Sequence, residues 1–162
     1  KLHDFIFDRQ QCYAIDETSH IYVWDFCSSK PNKINLKRKP FGWTIIPRAQ
    51  IIIHWDPMQL YSVGPPNYDE PLVLNGHVKR VTTAAATESV LVTGDYGGAV
   101  CIWYVSSWTC HHNIQTGNEP CRQILVNDVR IFVRTDNFIH TYDTTSGLSV
   151  KKIKIFRNII CH

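Results

Sequence analysis

A chain of 162 residues is long enough for one domain with a real core and too short for two comfortable ones. With 44% hydrophobic and 19% charged residues it is globular rather than disordered, and a net charge of +3 is too weak to imply nucleic acid by itself. No apolar run reaches the length of a membrane-crossing helix.

The opening stretch KLHDFIFDRQ carries Asp4, Asp8 and Arg9, lacks the apolar core of a secretory signal, and reads as a chain entered mid-element. CYAID (12–16) and HIYVWDF (20–26) then predict two strands around the turn ETS. FGWTII predicts a further strand, and QIIIHW (50–55) and MQLYSV (58–63) a hairpin around Asp56 and Pro57. VKRVTTAA precedes the hairpin of SVLVTG (89–94) and AVCIWYV (99–105), which turns at Gly97 and Gly98. PCRQILV precedes VRIFVRT (129–135) and FIHTYD (138–143), which turn at Asp136 and Asn137. Helical periodicity is nearly absent, because the apolar residues alternate or run in short β-branched clusters.

Each hairpin ends on an aromatic, at Trp24, Tyr61, Trp103 and Tyr142, a recurrence of roughly 40 residues that signals a repeat. A turn and one more strand follow each aromatic, in SSKPNKINLK, PPNYDEPLVL, SSWTCHHNIQ and TTSGLSVKKIKI. Four antiparallel strands per unit are expected, in units of about 1–38, 39–75, 76–116 and 117–156, with 157–162 opening another. One four-stranded sheet cannot cover both of its own faces. Radial stacking covers them, which is the β-propeller solution. A β-sandwich would not need an aromatic at a fixed phase in every unit.

The stretch NGHVKRVTTAAATESVLVTGDYGGAVCIWYV resembles a WD-repeat, with Gly76-His77, then Thr93-Gly94, then Trp103. Trp24-Asp25 supplies the Trp-Asp pair outright, Tyr142-Asp143 resembles it, and Tyr61-Ser62 is its most degenerate form. The resemblance covers the whole chain in four units and implies an all-β, partial propeller of four blades. It also implies a buried hydrogen-bonded lock in each blade, built from a His, a Ser or Thr, an Asp and the Trp. His77, Thr93 and Trp103 match in the third unit. The Asp place falls there on Gly97, and Asp95, two residues earlier, is the candidate to replace it. In the fourth unit Asp136 matches by its distance from Tyr142, while Asn118 stands near the His place.

Catalytic and metal chemistry find no support in the pattern. His77, Asp95 and Ser107 lack a nucleophile elbow or an oxyanion-type glycine motif. Cys110, His111 and His112 are adjacent on one strand, so their side chains alternate between faces and cannot converge on one zinc ion. The six cysteines form no CxxC pair and read as reduced, packed thiols of an intracellular protein, cytoplasmic or nuclear. Neither a cofactor nor a small-molecule substrate is expected.

Recognition by a surface remains. In WD-repeat proteins the contact side chains lie on the first strand after the Gly-His pair and at the hairpin turn. The resemblance maps these to Arg80, Thr82 and Tyr96, to Arg122 and Thr135, to Trp43 and His54, and to Glu17. Arg80 and Arg122 suit an acidic or phosphorylated segment. The third unit is similar in style to the WD domains of F-box proteins, which implies a substrate-recognition part of a ubiquitin ligase. The alternative is a trafficking or membrane-associated propeller that binds lipid or coat proteins through Lys33, Lys37, Arg38 and Lys39 and through Lys151, Lys152 and Lys154. A solvated outer strand explains those lysines more simply.

Overall fold

The computed structural model describes residues 2–7, 11–18, 20–27, 30–35, 42–46, 51–55, 59–62 and 72–155. Among them every regular element is a β-strand. They divide into two compact units, Lys1–Val73 and Leu74–His162. The expected start of a further blade at 157–162, and the basic residues 37–39, lie outside the described residues.

The first unit holds two four-stranded antiparallel sheets. One runs β1 (Leu2–Phe7), β2 (Gln11–Asp16), β3 (His20–Asp25), β4 (Asn32–Asn35). The other runs β5 (Gly42–Ile46), β6 (Ile51–Trp55), β7 (Gln59–Ser62), β8 (Leu72–Val73). Strand alternation sends Tyr13, Ile15, Ile21 and Val23 to one face of the first sheet, where they bury against Ile45 of β5 with Ile6 at the margin.

The second unit repeats the plan. Its sheets run β9 (Val81–Ala86), β10 (Val90–Asp95), β11 (Ala99–Tyr104), β12 (Cys110–Gln115), and β13 (Gln123–Val126), β14 (Arg130–Arg134), β15 (Phe138–Asp143), β16 (Ser149–Lys154). Every pairing within a sheet joins strands that are neighbours in sequence. β14 shows the physical pattern: Ile131 and Val133 are buried, while Phe132 and Arg134 point the other way and are exposed. Val92, Val100 and Ile102 of one sheet pack on Ile124, Ile131, Val133 and Tyr142 of the next, with Cys121 between them. Each such aliphatic side chain contributes about 1.5–3 kcal/mol on leaving water.

β10 is buried on both faces, and the segment entering the next sheet passes very close to it. A Cβ on Gly94 would stand 2.6 Å from Cβ of Cys121, so glycine is required for the approach. The β10–β11 turn needs glycine for its backbone: Gly98 has φ +84°, and a Cβ there would meet the Gly117 carbonyl oxygen at 2.5 Å. The Gly98 carbonyl accepts from both the amide and the hydroxyl of Thr116, tying the hairpin to the end of β12.

Candidate functional site

Thr93, Asp95 and Trp103 of the β9–β12 sheet and His77 from the segment before β9 form one hydrogen-bonded chain. Trp103 Nε1–H donates to Thr93 Oγ1 at 2.8 Å. His77 Nε2 lies 2.7 Å from the same oxygen, and His77 Nδ1 lies 3.0 Å from Asp95 Oδ2. Donor bookkeeping orients the whole set. The Asp95 carboxylate can only accept, so His77 Nδ1 carries the proton given to it, and in the neutral ring Nε2 accepts the Thr93 hydroxyl proton. Burial holds His77 below its ordinary pKa of 6.5 against the opposing pull of Asp95, which favours the neutral ring at neutral pH. The other oxygen of Asp95 accepts the backbone N–H groups of Gly97 and Ala99. Asp95, at 1% exposure, thus fastens the turn and the histidine together. Gly97, where repeat spacing expects the carboxylate, only donates its amide to it. Gly76 sits beside the indole, where a Cβ would be 2.6 Å from the Trp103 ring.

Strand register explains why this chain of bonds is not repeated in the same form. Thr93 pairs with Cys101, two residues before Trp103. The corresponding positions are Ala14, opposite Tyr22 in the first sheet, and Val133, opposite His140 in the fourth. In the second sheet the place falls to His54, opposite Gln59. Of the four, only Thr93 offers a hydroxyl. Trp24 instead stacks on Tyr22 at 5.7 Å between centroids, and Tyr142 lies parallel to the His140 ring at 6.2 Å.

Several expected lock residues hold other posts. Asp136 pairs with Arg122 at the surface through two bonds, of 2.9 and 3.2 Å. Asn118 is exposed, and it is its neighbour Glu119 that binds the turn, accepting from Asn137 Nδ2 at 2.6 Å and Asn137 N at 3.0 Å. Asp25 and Asp143 cap the turns after their strands. Asp25 accepts the Cys27 amide, and Asp143 accepts the amides of Thr145 and Ser146 and pairs with Arg130 at 2.7 Å.

The expected contact residues also divide. Thr82 donates its hydroxyl inward, to the carbonyls of Cys121 at 2.5 Å and Gly94 at 3.2 Å. Thr135 is buried, and its hydroxyl exchanges hydrogen bonds with the Phe138 backbone. Thr82 thus ties β9 to β10 and to the segment entering the next sheet, and Thr135 ties its own turn. Glu17 is exposed in the β2–β3 turn. Trp43 and His54 are direct cross-strand neighbours in β5 and β6; their side chains lie outside the described residues.

Tyr96 lies beside the backbone of Arg80 and near Arg122. The Tyr96 amide donates to the Arg80 carbonyl at 2.9 Å, and Tyr96 is 55% exposed. The Arg122 guanidinium has its pKa raised by its hydrogen bonds to Asp136, by that charge, and in smaller part by Tyr96 close by. The ion pair fixes the guanidinium plane at this end of the sheet.

A cleft of about 250 Å³ among Asn118, Glu119, Phe138, His140 and Lys152 escaped sequence reasoning. The alternation of FIHTYD does place His140 on the face of Tyr142; the neighbouring Glu119 has no such pattern. Lys152 Nζ lies 4.0 Å over the Phe138 ring. Among the described residues no three His, Cys, Asp or Glu side chains gather as a metal site. His112 reaches the Thr145 carbonyl while His111 packs on Tyr104, so the two diverge.

No protein-family model matches the sequence, and no curated protein does. Solved structures do resemble the fold. KlHsv2 with loop 6CD replaced by a Gly-Ser linker aligns at TM-score 0.74 and 12% identity, over 94% of this chain and 53% of that one. A chain of the mitotic checkpoint complex aligns at 0.73 and 12%, over 94% and 52%. The computationally designed Ika8 protein aligns at 0.72 and 13%, over 91% and 47%. Structures of WD40 propeller proteins are among those it resembles. The chain spans about half the length of the chains it matches.

Proposed function

We propose that this chain is a non-enzymatic, intracellular scaffold that binds a protein or peptide at the end carrying Arg80, Tyr96 and Arg122. The exposed Tyr96, bonded to the Arg80 backbone and near the Arg122–Asp136 pair, carries the reading. An exposed tyrosine and a fixed guanidinium are the side-chain types that dominate interface energetics, since both bury large area at small entropic cost. Propeller-like relatives in structure, one of them part of a protein complex, support a scaffold. An acidic or phosphorylated segment suits the guanidinium groups of Arg80 and Arg122. The resemblance of the third unit to F-box WD-repeat proteins makes substrate selection for ubiquitin ligation the first role to test. Six exposed residues of β16, with Lys151, Lys152 and Lys154 among them, support a second reading as a lipid- or coat-binding propeller.

A displayed peptide library tests the first reading. Peptides selected on the wild-type chain should bind Tyr96→Ala and Arg80→Ala at least about tenfold more weakly, a loss of about 1.4 kcal/mol. Equal binding by both folded variants overturns this surface. Salt-sensitive capture of anionic liposomes, lost on replacing the three β16 lysines, would favour the second reading.

A further inference from the structure

The β9–β12 sheet closes the space beside its Trp103 with His77, and the β13–β16 sheet leaves the matching space open. Register pairs the positions. Val133 opposite His140 matches Thr93 opposite Cys101, so Thr135 stands where Asp95 stands. Gly117 and Asn118 precede β13 much as Gly76 and His77 precede β9. Gly117, Asn118, Thr135 and His140 all line the cleft of about 250 Å³, which lies wholly within the unit Leu74–His162. Asn118 is exposed and does not fill it. The cleft holds polar groups with nothing to answer them. His140 is 4% exposed, and among the described residues no hydrogen bond reaches either of its ring nitrogens. Buried polar groups are ordinarily paired, so an unpaired one that lines a cavity points to something bound there. Lys152, directly across the strands from His140, holds its Nζ 4.0 Å over the Phe138 ring and pairs with no carboxylate among the described residues. Glu119 is the acid in the lining, and Asn137 already binds both of its oxygens.

We propose that this cleft binds a phosphate monoester, whose oxygens take hydrogen bonds from Lys152 Nζ, a ring N–H of His140 and the Asn118 side-chain amide. The donor set selects the ligand. Three donors from three segments ask for three acceptor oxygens, and a phosphate monoester presents them with a charge near −2. A carboxylate presents two and leaves one donor unanswered. Lys152 supplies the cation, and a bond to a charged acceptor is stronger than a neutral one. Burial and then the Lys152 charge hold His140 below its ordinary pKa, so it enters as a neutral ring with one N–H to give. The cleft is also large enough for a few atoms of the ester beside the Phe138 ring. Glu119 opposes the anion. Its bonds to Asn137 keep it ionised, so its charge sets a limit on affinity that can be removed.

Nuclear magnetic resonance titrations of the whole chain with phenyl phosphate, a phosphoserine peptide and acetate test the site. The phosphate ligands should shift the amides of Gly117, Asn118 and Glu119 and the His140 ring signals, and the shifts should saturate. Lys152→Gln should weaken binding about tenfold, and Glu119→Gln should tighten it. Lys151→Gln, next to the cleft in sequence but not in its lining, should leave it unchanged. Lys151 and Lys152 are both exposed, so neither substitution disturbs a buried contact, and far-ultraviolet spectra check the fold. Tighter binding of the peptide at the same signals assigns the phosphate to a partner chain, and equal or weaker binding assigns it to a free ligand. Three results overturn the proposal: no saturable shift in the wild type, acetate binding as tightly as phenyl phosphate, or an equal loss in Lys151→Gln and Lys152→Gln, which would mean attraction to surface charge.

Discussion

Asp95 Oδ2 lies 3.0 Å from Nδ1 of His77, and through this contact a residue two places before Gly97 completes the hydrogen-bonded chain to Trp103. The two side chains are 18 residues apart in sequence and almost wholly withdrawn from water, at 1% and 5% exposure. A buried carboxylate with three donors is stable only while all of them stay in place.

Removing that carboxylate should be severe. Asp95→Ala orphans the His77 proton and the amides of Gly97 and Ala99, and is expected to cost about 3–5 kcal/mol. Asp95→Asn keeps one acceptor oxygen and should cost less. Urea titrations of the two variants check the order; equal, small losses would show that the turn holds without the acid.

The same swap made in opposite directions should destabilise twice. Thr93→Val leaves Trp103 Nε1–H and His77 Nε2 without a partner, at about 1–3 kcal/mol. Val133→Thr puts a hydroxyl into the apolar contact with Ile131, Ile124 and Tyr142, where the local aromatic has no ring N–H to offer, and should cost about 1–2 kcal/mol. Chemical denaturation of both variants provides the comparison, and a gain in stability at position 133 would refute the register argument.

Acid should weaken the fold in two stages. Burial holds His77 below 6.5, and His140 is held below it as well, by burial and then by the Lys152 charge. The unfolded chain therefore binds more protons than the folded one once pH falls to about 6.5, so their contribution is full above that value and is lost below it. Carboxylates extend the loss further down. The Asn137 side chain lowers Glu119, the Ser146 amide lowers Asp143, and the His20 amide lowers Asp16, so their share disappears as pH falls below the ordinary carboxylate range. Urea midpoints should drop from about pH 7.5 to about pH 5.5, and by less in His140→Phe. A midpoint unchanged across that interval would contradict the neutral His77.

Thiol reagents should sort the cysteines by depth. Burial pushes Cys121 up to about 11 and raises Cys101 as well, so neither forms thiolate at neutral pH. Cys27 is exposed. Mass spectrometry after brief alkylation should find Cys27 labelled, with Cys101 and Cys121 labelled only in denaturant. Rapid labelling of Cys101 in the native chain would show that the β11 face opens.

Much of the fold was legible because its signals are local. VRIFVRT at 129–135 became β14 at Arg130–Arg134, and AVCIWYV at 99–105 became β11 at Ala99–Tyr104. Alternation and turn residues within a few positions are enough to place such strands. Side-chain partners were less legible: Thr82 and Thr135 bond to carbonyls at Cys121 and Phe138, a choice that no spacing rule reports.

By itself the sequence determined the strand order, the hairpins and the aromatic at the end of each, since these depend on side-chain alternation and on neighbours in the chain. Tertiary structure alone decided that Asp95 answers His77, that Asp136 binds Arg122 at the surface, and that Val133 stands where Thr93 stands in the sheet before. A polar side chain takes its partner from whatever segment folds within about 3 Å of it, and that distance is set by register and packing rather than by position along the chain.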